Sequence, residues 1–166
     1  MENPVSVYLW TFILSMIPVS EIRGSLIYSL AVLDKNLLNI LTVYFISVIG
    51  NFLPVPFILL IFRPIIKWLK KTRLFYKQAH WLEERTKRKA TKLKKVSSVA
   101  LMIFVAIPFP TTGAWTGAMI ASLLDIRFKY ALPAILLGIM IAGIIMTLLM
   151  TGVLHLGALG EFLITK

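Results

Sequence analysis

The sequence predicts an all-α integral membrane protein made of two inverted repeats, each a re-entrant helical hairpin followed by a transmembrane helix. Three observations lead to this prediction. Of the 166 residues, 58% are hydrophobic, which excludes an ordinary soluble domain. Long stretches of the chain contain no charged residue, and the two halves share a pattern. The net charge of +11 lies entirely in residues 63–95, which we expect to join the repeats as a basic amphipathic cytoplasmic helix.

We expect a single membrane domain over residues 1–166. Its parts are the first repeat, the basic segment, the second repeat and a tail, at residues 1–62, 63–95, 96–153 and 154–166. The first 20 residues lack the basic region and small-residue cleavage site of a signal peptide, so we expect the first apolar stretch to remain in the mature protein. The sequence contains no cysteine and therefore no disulfide framework.

The first repeat is organised around a polar break at residues 18–24, Pro-Val-Ser-Glu-Ile-Arg-Gly. The charge-free arms on its two sides, residues 5–17 and 25–33, have 13 and 9 residues. A bilayer span needs about 20 residues. The arms therefore form either a re-entrant hairpin with the break at its tip or one broken span. Both geometries place Glu21 and Arg23 in the hydrocarbon, where a charge costs at least ~2.5–3.5 kcal/mol. This cost indicates a working role. The alternative is that the two side chains only pair with each other or lie at the membrane interface on a tilted arm.

The first predicted span runs from Leu37 to Phe62, 26 residues without a charge. Pro54 and Pro56 should kink or unwind this helix and leave backbone carbonyls that only protein or a water-filled cavity satisfies at membrane depth. Asn51 precedes them. It either forms a hydrogen bond between helices or contacts a ligand beside the unwound backbone.

The second repeat has a matching break. Residues 96–124 carry no charge and are interrupted by Pro-Phe-Pro-Thr-Thr-Gly at 108–113, and a second span follows over 130–153. A shift of 93 residues superimposes Gly-Ser-Leu-Ile-Tyr-Ser-Leu at 24–30 on Gly-Ala-Met-Ile-Ala-Ser-Leu at 117–123. The same shift places Gly50 on Gly143, so both halves consist of a broken hairpin and a span.

The basic segment sets the expected topology. Its Lys and Arg residues place it in the cytoplasm, on the membrane surface, where anionic lipid attracts it by about 1 kcal/mol per basic residue. The first hairpin then enters from outside and the second from the cytoplasm, which returns Arg127 and Lys129 to the positive side. The units are inverted relative to each other, as in secondary transporters. Four full spans, the alternative, would place Arg127 and Lys129 outside.

Chemistry typical of soluble enzymes has no candidate residues here. The sequence has no metal-ligand cluster, phosphate-binding glycine loop or nucleophile triad, so we expect no metal, no cofactor and no enzyme activity. A basic, aromatic-containing segment is also typical of nucleic-acid binding. Because topology already accounts for this charge, we expect no nucleic-acid partner.

The two breaks together resemble a known family. The motifs are Pro18-x-Ser20-Glu21-x-Arg23-Gly24 and Pro108-x-Pro110-x-Thr112-Gly113-Ala114-Trp115-Thr116-Gly117. They resemble the small multidrug export protein family and, more distantly, the DedA group of membrane proteins. The resemblance covers nearly the whole chain and implies paired re-entrant hairpins and a transport role. Likeness to DedA proteins implies polyprenyl-phosphate lipid carriers as substrates, coupled to protons, although this chain has threonines in the second hairpin where those proteins place arginines.

The expected mechanism brings both breaks together at the membrane midplane. Glu21 exchanges the coupling proton, and Arg23 holds it ionised or binds an anionic head group. Trp115 either forms a wall of the site or only packs. The predicted substrate-binding residues are Ser20, Arg23, Asn51, Thr111, Thr112, Trp115 and Thr116. The predicted hinges are Pro18, Gly24, Pro54, Pro56, Pro108, Pro110, Gly113 and Gly117.

Three functions fit these features. The first is a proton-coupled transporter that moves a drug-like molecule or a polyprenyl-phosphate-type lipid across the inner cell membrane. The second is an uncoupled channel or lipid scramblase, and the third is a structural or membrane-shaping protein. Two spans and two hairpins are few for a transporter, which favours a homodimer.

The topology prediction can be tested by labelling introduced cysteines, since the chain has none of its own. Lys35→Cys should react with an impermeant thiol reagent added outside, whereas Lys129→Cys should react only after permeabilisation. Labelling of position 129 from outside would indicate four full spans instead.

Overall fold

The structure is a computed structural model that describes residues 3–34, 36–71, 90–109 and 112–164. These residues form seven helices and no strand, which confirms the all-α prediction for the described chain. In chain order the helices are α1 (Pro4–Met16), α2 (Glu21–Val32), α3 (Leu37–Phe52), α4 (Pro54–Lys71), α5 (Ala90–Ala106), α6 (Ala114–Leu123) and α7 (Phe128–Ile164).

Two stretches are long and apolar enough to cross a membrane. They are Leu37–Ile65, of 29 residues, and Phe128–Gly152, of 25 residues. Both contain the spans predicted from the sequence nearly in full. Helices α1 and α6 are apolar but have only 13 and 10 residues, fewer than the roughly 20 that a span needs.

The first of these stretches is broken between α3 and α4. Leu53 forms a turn, and α4 begins at Pro54 with Pro56 two residues later. Proline is tolerated in the first turn of a helix, where its missing N–H has no intrahelical partner to lose. The prolines therefore start a new helix here, and their role as hinges remains a prediction.

The described parts of the basic segment are not a separate helix. Residues 63–71 continue α4, and residues 90–95 open α5, which is 17 residues long. Lys, Arg, Leu and Ala are all good helix formers, so these ends of the segment extend the neighbouring helices. Residues 72–89, with most of the predicted surface helix, lie outside the described residues.

Contacts divide the chain into two compact units. The first comprises Met1–Phe52 with Ile139–Lys166, and the second comprises Leu53–Gly138. In the first unit, α1 and α2 are joined by four residues and pack on each other as a helical hairpin, and α3 packs on both. In the second unit, α6 packs on α4 and α5.

The two hairpins share local structure at the predicted shift of 93 residues. Helix α2 begins at Glu21 and α6 at Ala114, which are 93 residues apart. The Ser29 hydroxyl donates to a carbonyl one turn earlier in α2 at 2.7 Å, and Ser122 does the same in α6 at 2.9 Å. The re-entrant and inverted arrangement of the repeats remains a prediction.

Close packing of α1 on α3 depends on Gly50. A Cβ at this position would come within 2.0 Å of Ser15 Oγ and 2.9 Å of the Phe12 carbonyl oxygen. Gly50→Ala should therefore lower the free energy of unfolding by about 1–3 kcal/mol.

Gly152→Ala is the matched control, because nothing lies within 4 Å of a Cβ added there. Relief of glycine's poor helix propensity should leave stability unchanged or raise it by up to ~1 kcal/mol. Thermal unfolding of both variants in detergent provides the measurement, and equal losses would contradict close packing at Gly50.

Candidate functional site

Glu21 occupies an unusual position in the first unit. It is the first residue of α2, only 7% of its surface is exposed, and its φ is 49°, in the left-handed region that residues other than glycine seldom adopt. Its N–H donates to the Ile17 carbonyl at 2.8 Å. Residues 17–20 thus reverse the chain, and the carboxyl group is buried at the tip of the hairpin. Strained backbone at a buried acid is a common feature of functional sites.

The other predicted residues of the first break surround Glu21. Ser20 is the N-cap of α2, and its Oγ lies 2.1 Å from where a Cβ of Gly24 would be, so a glycine at position 24 makes room for this hydroxyl. Arg23 is half-buried, and the negative charge of Glu21 acts on its guanidinium. Pro18 is exposed in the turn. The structure therefore places the acid and the base of the break close to each other.

A buried line of polar side chains continues from Glu21 through the first unit, and we name it the polar seam. Its members recur every four residues on α1, α2 and α3, a spacing that places them on one face of each helix. All of them are buried. They are Thr11 and Ser15 on α1, Glu21, Ser25 and Ser29 on α2, and Ser47 and Asn51 on α3.

A direct contact fixes how α2 and α3 face each other. Ser25 Oγ and Ser47 Oγ are 2.9 Å apart. The two helices are joined by four residues and pack together, so they run antiparallel. Glu21 lies one turn before Ser25 in α2, and Asn51 lies one turn after Ser47 in α3. The carboxyl and amide groups are therefore at the same level of the seam.

Helix α1 supplies a third side of this level. Ser15 lies against Gly50, the residue before Asn51, and the Ile17 carbonyl accepts the Glu21 N–H. At the opposite end the seam is closed by Val7 and Val43, both fully buried. Polarity thus increases along the seam towards the hairpin tip.

Most hydroxyl groups of the seam bond to their own helix. Thr11, Ser15 and Ser29 each donate to a backbone carbonyl three or four residues earlier, at 2.7 Å. Asn51 differs: it is only 1% exposed, and its Oδ1 accepts no hydrogen bond from any residue that the structure describes. A buried acceptor without a donor costs about 1–3 kcal/mol.

The outer faces of the same helices are apolar. Leu9, Trp10 and Ile13 on α1 and Phe45 and Ile49 on α3 are all exposed. A surface of this kind, around a polar interior, suits a lipid environment, where polar groups must be satisfied inside the protein.

A family model described as "Putative small multi-drug export protein" matches residues 21–145, well over half of the chain. The chain belongs to this family. The family resemblance predicted from the two breaks is thereby confirmed, and the more distant likeness to DedA proteins remains a prediction. No curated protein and no solved structure matches the chain. Family membership and the two long apolar helices identify a membrane protein of an export family, which is not an enzyme class.

The predicted residues of the second break lie in the second unit of this small multidrug export family member. Thr112 Oγ1 donates to the Ile107 carbonyl at 2.6 Å and accepts the Phe109 N–H at 3.2 Å, so its hydroxyl closes the turn before α6. Gly113 caps α6, and a Cβ at Gly117 would come within 2.5 Å of a Val105 methyl group.

The remaining members of the predicted second site are described only in part. Trp115 and Thr116 are half-buried on α6, and Pro108 is half-buried two residues after the end of α5. Pro110 and Thr111 lie outside the described residues. Substrate contact by the second break, and its meeting with the first, remain predictions.

Sequence reasoning missed five seam residues: Thr11, Ser15, Ser25, Ser29 and Ser47. A signal for them exists, because small hydroxyl residues recur at a spacing of four in stretches without charge. Charge and proline mark the break in the sequence more strongly than this spacing marks the arms.

The hydrogen bond between Ser25 and Ser47 should be measurable by a double-mutant cycle. Replacing either serine by alanine should lower the free energy of unfolding by about 1 kcal/mol, and the two losses should not add, with a coupling of ~0.5–1.5 kcal/mol. Ser25→Ala combined with Thr42→Val is the control, since the Thr42 hydroxyl bonds only to its own helix at 2.8 Å. Equilibrium unfolding in mixed detergent gives the energies, and strict additivity for the serine pair would contradict the contact.

Proposed function

We propose that this protein is a proton-coupled exporter of amphiphilic molecules and that Glu21 gains and loses the coupling proton. One observation carries the proposal: a carboxyl group is buried at the tip of a helical hairpin whose arms are too short to cross a membrane. Membership of an export family supports the transport role.

The surroundings of Glu21 suit a proton carrier. An ionisable residue at membrane depth is costly, and its usual use in transporters is to relay protons or to bind charged substrates. Arg23 stabilises the ionised form of Glu21 by its charge. Seam hydroxyls offer neutral hydrogen-bonding partners to either form, so both protonation states can exist in the interior.

The substrate class follows from the surface and the family. An apolar outer face lets a molecule approach from the lipid, which suits a drug-like amphiphile or a polyprenyl-phosphate-type lipid. In this proposal, the protein is a multi-pass protein of the inner cell membrane. It acts as a homodimer, because two spans and two hairpins are few for a transporter, and its two breaks meet at the midplane. The basic segment 63–95 then binds anionic lipid on the cytoplasmic side.

Proteoliposome flux tests the proposal directly. Wild-type protein should move a cationic drug or a polyprenyl phosphate faster when a pH gradient is imposed. Glu21→Gln keeps the size and hydrogen bonding of the side chain but cannot titrate, so it should abolish the gradient-driven part of the flux, at least tenfold, while thermal unfolding stays near that of the wild type.

Asp125→Asn is the matched control for this change. Asp125 also has a left-handed backbone, with φ of 52°, but its side chain is exposed. This variant should retain gradient-driven flux. Parental flux by Glu21→Gln would refute coupling through Glu21, and wild-type flux that ignores the gradient would favour an uncoupled channel or scramblase.

A further inference from the structure

The unpaired amide oxygen of Asn51 raises a question that the proposed function leaves open. Asn51 is almost completely buried, and its Oδ1 has no hydrogen-bond donor among the described residues. Buried acceptors are nearly always paired, and one without a protein donor marks the place of a water, an ion or a functional group. The position of this oxygen in the seam therefore matters.

The register of the helices places Asn51 at the same level of the polar seam as Glu21. The Ser25–Ser47 contact fixes the register of α2 on α3, and each residue lies one turn beyond it at the hairpin tip. An ionised carboxylate can only accept hydrogen bonds, and the same is true of Asn51 Oδ1. Asn51 Oδ1 gains a partner when a cation lies between it and the carboxyl group of Glu21, which has other interactions as well.

We propose that Glu21 and Asn51 form a two-oxygen site for the coupling cation, with Asn51 Oδ1 as the second ligand. The proposal rests on the proposed function and adds a residue to it. The cation is either a proton, held as the O–H of Glu21 and donated to Oδ1, or Na⁺, bound by both oxygens. Oxygen ligands from a carboxylate and neutral groups are those that a hard monovalent cation prefers.

Packing around the site limits the size of its ligand. Gly50 lies so close to α1 that an added Cβ would meet Ser15 Oγ at 2.0 Å. All seven seam members are buried. Such close packing favours a proton or a dehydrated inorganic cation over an organic ammonium. Ser15 donates to the Phe12 carbonyl, which leaves its lone pairs available as a further neutral ligand.

Few other groups in the first unit can respond to pH or cations. Among α1, α2, α3 and residues 139–152, Arg23 is the only charged residue besides Glu21. Three tyrosines complete the titratable set. The Tyr8 hydroxyl donates to Asn39 Oδ1 at 3.1 Å and the Tyr44 hydroxyl to the Met140 carbonyl at 3.0 Å, and Tyr28 also has a partner. Within these segments a response near neutral pH therefore originates at Glu21, and the comparison with Glu21→Gln separates it from responses of Asp34, His155 and Glu161 elsewhere in the unit.

Thermal unfolding of the purified full chain in detergent tests the site without a transport substrate. One arm varies pH from 5 to 9 in choline chloride, and the other replaces choline chloride by NaCl at fixed pH. A cation that binds the folded state raises the unfolding temperature. Wild type should respond in at least one arm, and the response that Glu21→Gln removes is the one assigned to the site.

Asn51→Leu removes the amide oxygen at similar volume. It should weaken cation binding in the Glu21-dependent response about tenfold, which is the equivalent of one hydrogen bond. In the pH arm, this loss lowers the midpoint of the response by about one pH unit. Asn39→Leu is the matched control on the same helix and should keep the response. If Asn51→Leu does not fold, Asn51→Ser and Asn51→Ala replace it. Asn51→Ser retains an oxygen and should show a partial response, whereas Asn51→Ala should lose the response.

Each outcome decides the proposal. A response in the pH arm identifies the proton, one in the NaCl arm identifies Na⁺, and responses in both identify competing cations at one site. The proposal is overturned if wild type responds in neither arm, if Asn51→Leu keeps the wild-type response, or if Asn39→Leu loses as much. These results leave the flux of Glu21→Gln, and with it the proposed function, to be judged separately.

Discussion

The Glu21 carboxyl group is buried at the break between two short helices. The polar side chains in the rest of the first unit are explained by this constraint. A charge in an apolar interior is tolerated only beside polar or charged neighbours. Arg23 supplies the charge, and serine, threonine and asparagine on three helices supply the polar groups. The seam thus gives the buried carboxyl group an interior of polar side chains at the hairpin tip.

The seam also determines how closely the helices pack. Serine is small, and Gly50 is smaller, so α1 and α3 approach each other so closely at Ser15 that a Cβ at position 50 would clash. Small residues at helix contacts and hydrogen bonds between helices are the means by which helices associate in lipid, where hydrophobic burial gives no driving force between them. Polarity and tight packing therefore have the same origin in these residues.

The two hairpins differ in chemistry although their helix bounds correspond. The positions 93 residues after Glu21 and Ser25 are Ala114 and Ala118, and both alanines are fully buried. Among the seam members of α2, only Ser29 has a serine as its counterpart in α6, and this serine is Ser122. One hairpin therefore holds a buried acid with its polar surroundings, while the other is closed by apolar contacts.

The sequence alone determined those features that depend on local chemistry. Absence of charge predicted the apolar helices, Pro54 predicted the break after Leu53, and the two motifs predicted the family. The tertiary structure alone decided the seam. A serine hydroxyl bonds to its own helix whichever way it faces, so the pairing of Ser25 with Ser47, 22 residues away, has no local signature. For the same reason Asn51 was recognised as a polar residue in a span, but its unpaired oxygen at the level of Glu21 became visible only once α2 and α3 were packed together.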